Sequence, residues 1–326
     1  MIYYLEVFLV LDELIYTIIN GGKRKITKPI FVKEFSRENP QLNQLVELKK
    51  EIKDERVLKE IDRDINFLNA GIQGEANVAF ELKNSLIPML CLHDVHLSYK
   101  SHSIQMDFVV ILKNSIILFE TKKLNGDIEI NQDGDFIRLY KNKNGKIYKR
   151  EGIYSPIAQN ERHVRILDKI LREEKLIKRM PIKSYVVVAN PKSIIYKKNA
   201  PKEIKNNIIK YDQITTILKR ELNDKKNELD VIEKHLYTIA NFLLENHRPK
   251  SFDISKKYKI EKTEETKVSV AQNNEEYLHI EKELKKFRME MAKKYNLKPF
   301  MIFKNADMEE LIKKRPQTKE ELLQKI

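Results

Sequence analysis

Two acids and a lysine, Asp107, Glu120 and Lys122, carry the most specific chemistry in this sequence. They lie in the stretch Ser103–Gly126, where two apolar, β-branched runs, Met106–Leu112 and Ile116–Phe119, flank the polar pair Lys113-Asn114. Runs of that kind around a two-residue turn predict a β-hairpin. With the turn at Lys113-Asn114, Leu112 faces Ser115, Asp107 falls opposite Glu120, and Gln105 falls opposite Lys122. Alternation of side chains then puts Gln105, Asp107, Glu120 and Lys122 on one side of the sheet. Directly opposed residues lie roughly 4.5–5.5 Å apart, and two carboxylates at that distance repel each other. A divalent cation between them removes the repulsion, and the lysine adds a proton donor or a phosphate contact. In outline this is an arrangement for cleaving a phosphodiester. Two carboxylates suit an oxygen-seeking ion that keeps some of its water, Mg²⁺ or Mn²⁺. The bland alternative, solvated acids on an exposed sheet face, sits badly with acids at paired positions inside apolar strands.

The elements around the hairpin predict a mixed α/β domain. Gly21-Gly22 ends an apolar first helix, and Thr27–Pro40 reads as an irregular basic connection with Pro29 and Pro40 as breakers. Gln41–Asn69 has apolar residues at helical spacing among many charges, one or two solvated helices. Gly71–Gly74 stops that run and opens a helix over Glu75–Ser85, with Val78, Ala79 and Leu82 on its buried side. A strand over Cys91–Leu97 and the hairpin follow, then short strands at Asp127–Ile130, Phe136–Tyr140 and Lys146–Arg150. Ser155 as N-cap and Pro156 at the first helical position start a helix that runs through Lys175. Ser184–Ala189 is an apolar run that reads as a central strand covered on both faces, and a short strand (Asn207–Tyr211) and a helix (Ile214–Leu222) complete the pattern. Leu229–Glu245 is a further helix, and His247–Asn274 is polar enough to be a linker. The organisation expected is residues 1–27, an N-terminal apolar helix; 28–222, the catalytic domain; 223–275, a helix and polar linker; and 276–326, a small all-α module.

The ordered motifs carry a resemblance. Gly71-Ile72-Gln73-Gly74-Glu75, Ile104-Gln105-Met106-Asp107, Phe119-Glu120-Thr121-Lys122, Gly126, and Pro156 followed by Gln159 resemble, in that succession, the NERD (nuclease-related) domain of the PD-(D/E)XK nuclease superfamily, over roughly Lys28–Leu222. The resemblance implies an α/β/α sandwich with a mixed central sheet and a magnesium-dependent nuclease that leaves 5′-phosphate ends. It implies catalytic roles for Glu75, Asp107, Glu120 and Lys122, with Asp107, Glu120 and Glu75 at the metal. Gln105, Gln159 and Lys123 become substrate contacts by the same resemblance, and His163, on the face of Gln159, is expected to be a surface or packing histidine. A protein that has kept the nuclease fold only to bind nucleic acid or a partner is the alternative.

Leu284–Ile326 resembles the HRDC domain, an auxiliary contact module for nucleic acid or protein, at Phe287-Arg288, Ala292, Pro299-Phe300, Ile302-Phe303, Leu311, Arg315-Pro316, Thr318 and Leu322-Leu323. A helix beginning at Asn305–Asp307, its end at Pro316 and a capping box of Thr318 with Glu321 agree with it. That family continues into a last helix beyond the point where Ile326 stands, so the module is expected to be truncated.

Composition bounds the partners. Lys+Arg 62 against Asp+Glu 48 gives a net charge of +14 in 326 residues, which favours a polyanion, DNA first and RNA second. One cysteine, Cys91 in an apolar run, excludes a disulfide framework and suits a cytoplasmic protein. His93, His96 and His102 invite a zinc reading, but H-x-x-H on a regular strand points the two rings to opposite faces, so no zinc site is expected. No G-x-x-x-x-G-K-[ST] occurs, so no nucleotide cofactor is expected. Ile2–Ile19 is apolar but interrupted by Glu6, Asp12 and Glu13, each costly in a bilayer, so a packed helix is expected rather than a membrane span. The basic run after Gly21-Gly22 keeps membrane tethering as a minor reading.

Overall fold

The computed structural model describes residues 25–123, 126–224, 229–249, 254–258, 264–294, 299–303, 305, 308 and 311–312. The apolar N-terminal stretch and the Thr318–Glu321 capping box lie outside them. Two compact units form: Ile26–Ile254, and a second that contains Ser255–Ile326.

The larger unit is built on a mixed six-stranded sheet. Its strands are β1 (Pro29–Lys33), β2 (Met89–Tyr99), β3 (His102–Ile111), β4 (Ile116–Lys122), β8 (Ile182–Val188) and β10 (Ile208–Lys210), in that spatial order. β2, β3 and β4 run antiparallel in turn, while β1 joins β2, and β8 and β10 join β4, in parallel. β1 falls in the connection expected to be irregular. It is an edge strand with Pro29 at its first position, where proline's missing N–H costs no ladder bond. A second sheet has the order β7 (Ile147–Ile153), β6 (Phe136–Lys141), β5 (Asp127–Ile130) and β9 (Ile195–Tyr196); its first three strands are inserted between β4 and β8, and β9 comes from the segment between β8 and β10. Gly126 enters it at φ 89°, and a Cβ there would stand 2.5 Å from the Leu139 carbonyl oxygen, so only glycine fits.

Helices cover both faces of the large sheet, giving three layers. After α1 (Pro40–Glu51), α2 (Glu55–Asn84) packs Val78, Ala79 and Leu82 on one face. On the same face α5 (Ile214–Leu222) adds Ile214, Ile217 and Leu218; the short α4 (Lys202–Asn207) precedes β10. The opposite face takes Leu167, Ile170 and Leu171 of α3 (Pro156–Glu173), together with Leu236, Ile239, Ala240 and Leu243 of α6 (Glu233–Glu245). α6 was expected beyond the 28–222 domain; its apolar stripe is instead part of that domain's core. Gly71 and Gly74 do not stop a helix. α2 runs through both, because the packed stripe downstream outweighs a helix cost of about 1 kcal/mol per glycine. The second unit contains α7 (Glu264–Lys294) and α8 (Pro299–Ile302); Ala292, Met308 and Ile312 are buried, and Arg288 donates to Asn305 Oδ1 at 2.7 Å.

Candidate active site

The hairpin has the register that its turn dictates. Ile111 pairs with Ile116 and Phe108 with Phe119, and the Leu112 N–H donates to the Ser115 carbonyl at 2.9 Å. The β3–β4 ladder ends at Phe108–Phe119, one rung short of Asp107 and Glu120. From there β4 stays with β8, with Glu120 against Val186 and Lys122 against Val188, and parts from β3. Asp107 stands in the fork, where its Oδ2 accepts the Thr121 N–H at 2.7 Å.

The alternation of side chains slips at the same place. Ile104 and Met106 share one core with Val109 and Ile111, so two residues, Asp107 and Phe108, stand where strict alternation allows one. Leu92 and Val95 of β2 show the same slip, and Asp94, level with Asp107 in the register, has φ 48°. The expectation that Gln105, Asp107, Glu120 and Lys122 share a face fails for this reason. Glu120 and Lys122 alternate in phase with Ile116 and Leu118, toward the α3 face, whereas Gln105 lies out of phase with Ile104 and Met106. Gln105 is exposed and donates to Asp94 Oδ1 at 3.1 Å. Asp94 also bonds His96 Nε2 at 2.8 Å; burial opposes its ionisation, but the His96 bond and Lys33 outweigh that and hold it below the usual carboxylate range.

Around the fork the charges are close and unevenly matched. Glu120 is buried at 4% exposure, and Lys122 Nζ donates to its Oε1 at 2.7 Å. Burial, then the Glu120 and Glu75 carboxylates, push the Asp107 carboxyl well above its ordinary range, against the Thr121 N–H and Lys122. Glu75 comes from α2, where Gly74 lets the helix approach β4: a Cβ at Gly74 would stand 3.0 Å from Lys123 Cβ and 3.4 Å from Thr121 Cγ2. Glu75 Oε2 lies 2.8 Å from Nε2 of His93, a buried ring that meets Phe35 and Phe108 at 4.9 Å between centroids. Lys123 is half-buried beside Gly74. Among the described residues no group of three His, Cys, Asp or Glu is placed so as to hold one ion.

Two carboxylates do meet the needs of a hydrated ion. Among the described residues Asp107 Oδ1 and Glu120 Oε2 have no hydrogen-bond partner, and a single lysine faces three acids. Hard oxygen donors with too little compensating charge fit Mg²⁺ or Mn²⁺, which take one or two carboxylates and keep water elsewhere.

The helix across this face brings residues that the sequence reading undervalued. Ser155 caps α3, accepting from the Ala158 N–H at 3.3 Å. Asn160 and His163 face inward, both buried, whereas Gln159 is only half-buried. His163 interacts electrostatically with Glu120 and Lys122, and burial lowers its pKa. The clue available in the sequence was the stripe Ile157, Asn160, His163, Leu167 at helical spacing. His102 lies elsewhere, 3.4 Å from Lys169 Nζ.

Residues 70–189 match the nuclease-related domain, NERD, and residues 278–325 match the HRDC domain, in that order along the chain. The first match takes in every residue of the fork and the start of α3. Comparison with curated proteins and with solved structures gave no match.

Proposed function

We propose that the Ile26–Ile254 unit is a divalent-metal-dependent nuclease that hydrolyses DNA phosphodiester bonds, in DNA processing or repair, in the cytoplasm. The observation that carries this reading is the strand fork, which places Asp107 beside buried Glu120 with Lys122 on its carboxylate. Asp107 and Glu120 would hold Mg²⁺ or Mn²⁺, which neutralises charge at the scissile phosphate and makes a water more acidic. Lys122, half-buried and movable on its stem, leaves Glu120 to donate to a phosphate oxygen or to orient the attacking water. Glu75, held by His93, keeps the fork negative, and the half-buried Gln159 and Lys123 would serve as backbone contacts. Contacts of this kind carry no sequence code, so cleavage independent of sequence is expected.

One observation favours a binder that retains the fold: Glu120 is already paired with Lys122. Digestion of single- and double-stranded DNA and of RNA, with Mg²⁺, Mn²⁺ or EDTA, separates the two. Metal-dependent cleavage that falls at least about 10²-fold in Glu120→Gln and Lys122→Ala, with DNA binding retained, supports the nuclease. Binding without cleavage under every metal condition supports the alternative.

A further inference from the structure

We propose that Asn160 and His163 form a phosphate-contacting subsite beside Glu120 and Lys122, a deepening that rests on the nuclease reading. Both side chains are more than nine-tenths buried, at 2% and 6% exposure. Among the described residues Asn160 Nδ2 and His163 Nδ1 have no hydrogen-bond partner. A buried, unbonded polar atom costs folding free energy, and proteins keep few of them. Here two occur three residues apart, on one face of one helix.

That face lies over the fork. Ile157, one turn before Asn160, packs with Val186 and Val188, the β8 residues paired with Glu120 and Lys122. One turn after Asn160, His163 interacts electrostatically with both Glu120 and Lys122. Leu167 continues the stripe into the core that also holds Ile116 and Leu118. The orphaned groups therefore stand between two anchored ends of the stripe, on the side of the sheet to which Glu120 and Lys122 project.

Their chemistry is complementary to the acids. Asn160 offers amide N–H donors, and His163 offers one ring N–H whichever tautomer it holds. With Lys122 they make three donor groups from two elements, and a phosphodiester presents oxygens that can accept from all three. Neither residue supplies charge of a carboxylate's sign, so the subsite adds attraction for phosphate where the acids alone would repel it. Asn160 and His163 bind and orient the backbone.

The test pairs stability with affinity. Asn160→Leu and His163→Leu replace orphaned polar atoms by apolar ones. If the orphans serve substrate, Tm holds or rises, while affinity for a short fluorescein-labelled DNA strand in Ca²⁺ falls roughly tenfold for each, the worth of one hydrogen bond to a charged group. His163→Gln, which keeps a side-chain N–H, should recover part of that loss. Unchanged affinity in both leucine variants, or a fall in Tm that accounts for the lost affinity, overturns the subsite. If wild type binds the strand but does not cleave it in Mg²⁺, the nuclease reading fails while the binding comparison still decides the role of Asn160 and His163.

Discussion

Asp107 is at once hydrogen-bonded, buried and crowded by like charge. Its Oδ2 takes the Thr121 N–H, while Glu120 and Glu75 make its ionised form costly. An acid in that position weakens the folded state until a cation arrives, which is a cost that function explains and packing does not. Asp107→Asn keeps an oxygen for Thr121 and removes one of three negative charges. In EDTA at neutral pH its Tm should exceed that of wild type by a few degrees, as differential scanning calorimetry would show. Mg²⁺ should raise the wild-type Tm, by RT ln(1 + [L]/Kd), and leave the variant nearly unmoved. A lower Tm for the variant in EDTA would contradict the crowding.

The two glycines of α2 separate what a helix needs from what a site needs. A Cβ at Gly71 would meet nothing within 4 Å, whereas one at Gly74 would press on Lys123 Cβ at 3.0 Å and Ala189 Cβ at 3.3 Å. Gly71→Ala should stabilise by roughly 0.5–1 kcal/mol, from helix propensity alone, and leave cleavage unchanged. Gly74→Ala gains the same propensity but pushes Glu75 away from the fork; cleavage should fall at least about tenfold with the fold retained. α5 is held differently, by Glu221, buried at 4% exposure against Tyr185, Lys183 and Arg220, with Tyr185 Oη donating to it at 2.6 Å. Burial opposes the charge of Glu221, but its Lys183, Tyr185 and Arg220 hydrogen bonds win and lower its pKa below the ordinary 4.5. The stability it contributes is therefore present above pH 4.5 and is lost as pH falls through the lowered value. Glu221→Gln should cost roughly 1–3 kcal/mol at neutral pH and flatten the acid limb of a urea-melt pH series.

For the whole molecule, charge and division into units set the expectations. With a net charge of +14, the proposed DNA binding should fall steeply with salt, with a log–log slope of about −0.9 for each phosphate neutralised. Removing Ser255–Ile326 should weaken retention of DNA on a filter and leave metal-dependent cleavage in the Ile26–Ile254 unit, whose core is its own. Much of the architecture was legible in local chemistry. Lys113-Asn114 set the hairpin register, Ser155-Pro156 marked the start of α3, and the apolar Ser184–Ala189 run marked a covered strand. What was not legible depended on partners distant in sequence. β1 is a strand because β2 lies beside it, and α2 passes Gly71 and Gly74 because its later turns are packed. Asn160 and His163 look like ordinary members of a solvated helix until the sheet beneath them is known. Nor does any spacing rule foresee the slip at Asp94 and Asp107, since every such rule assumes an unbroken pleat.

The carboxylate in the fork is also a wedge. With the Thr121 N–H engaged by a side chain, β3 and β4 cannot zip closed past Phe108–Phe119. Truncation at Asp107 would free that amide to seek a main-chain acceptor, and the gap could shut over Glu120. An alanine there removes a doorstop as well as an acid, so only the amide variant reports on the charge.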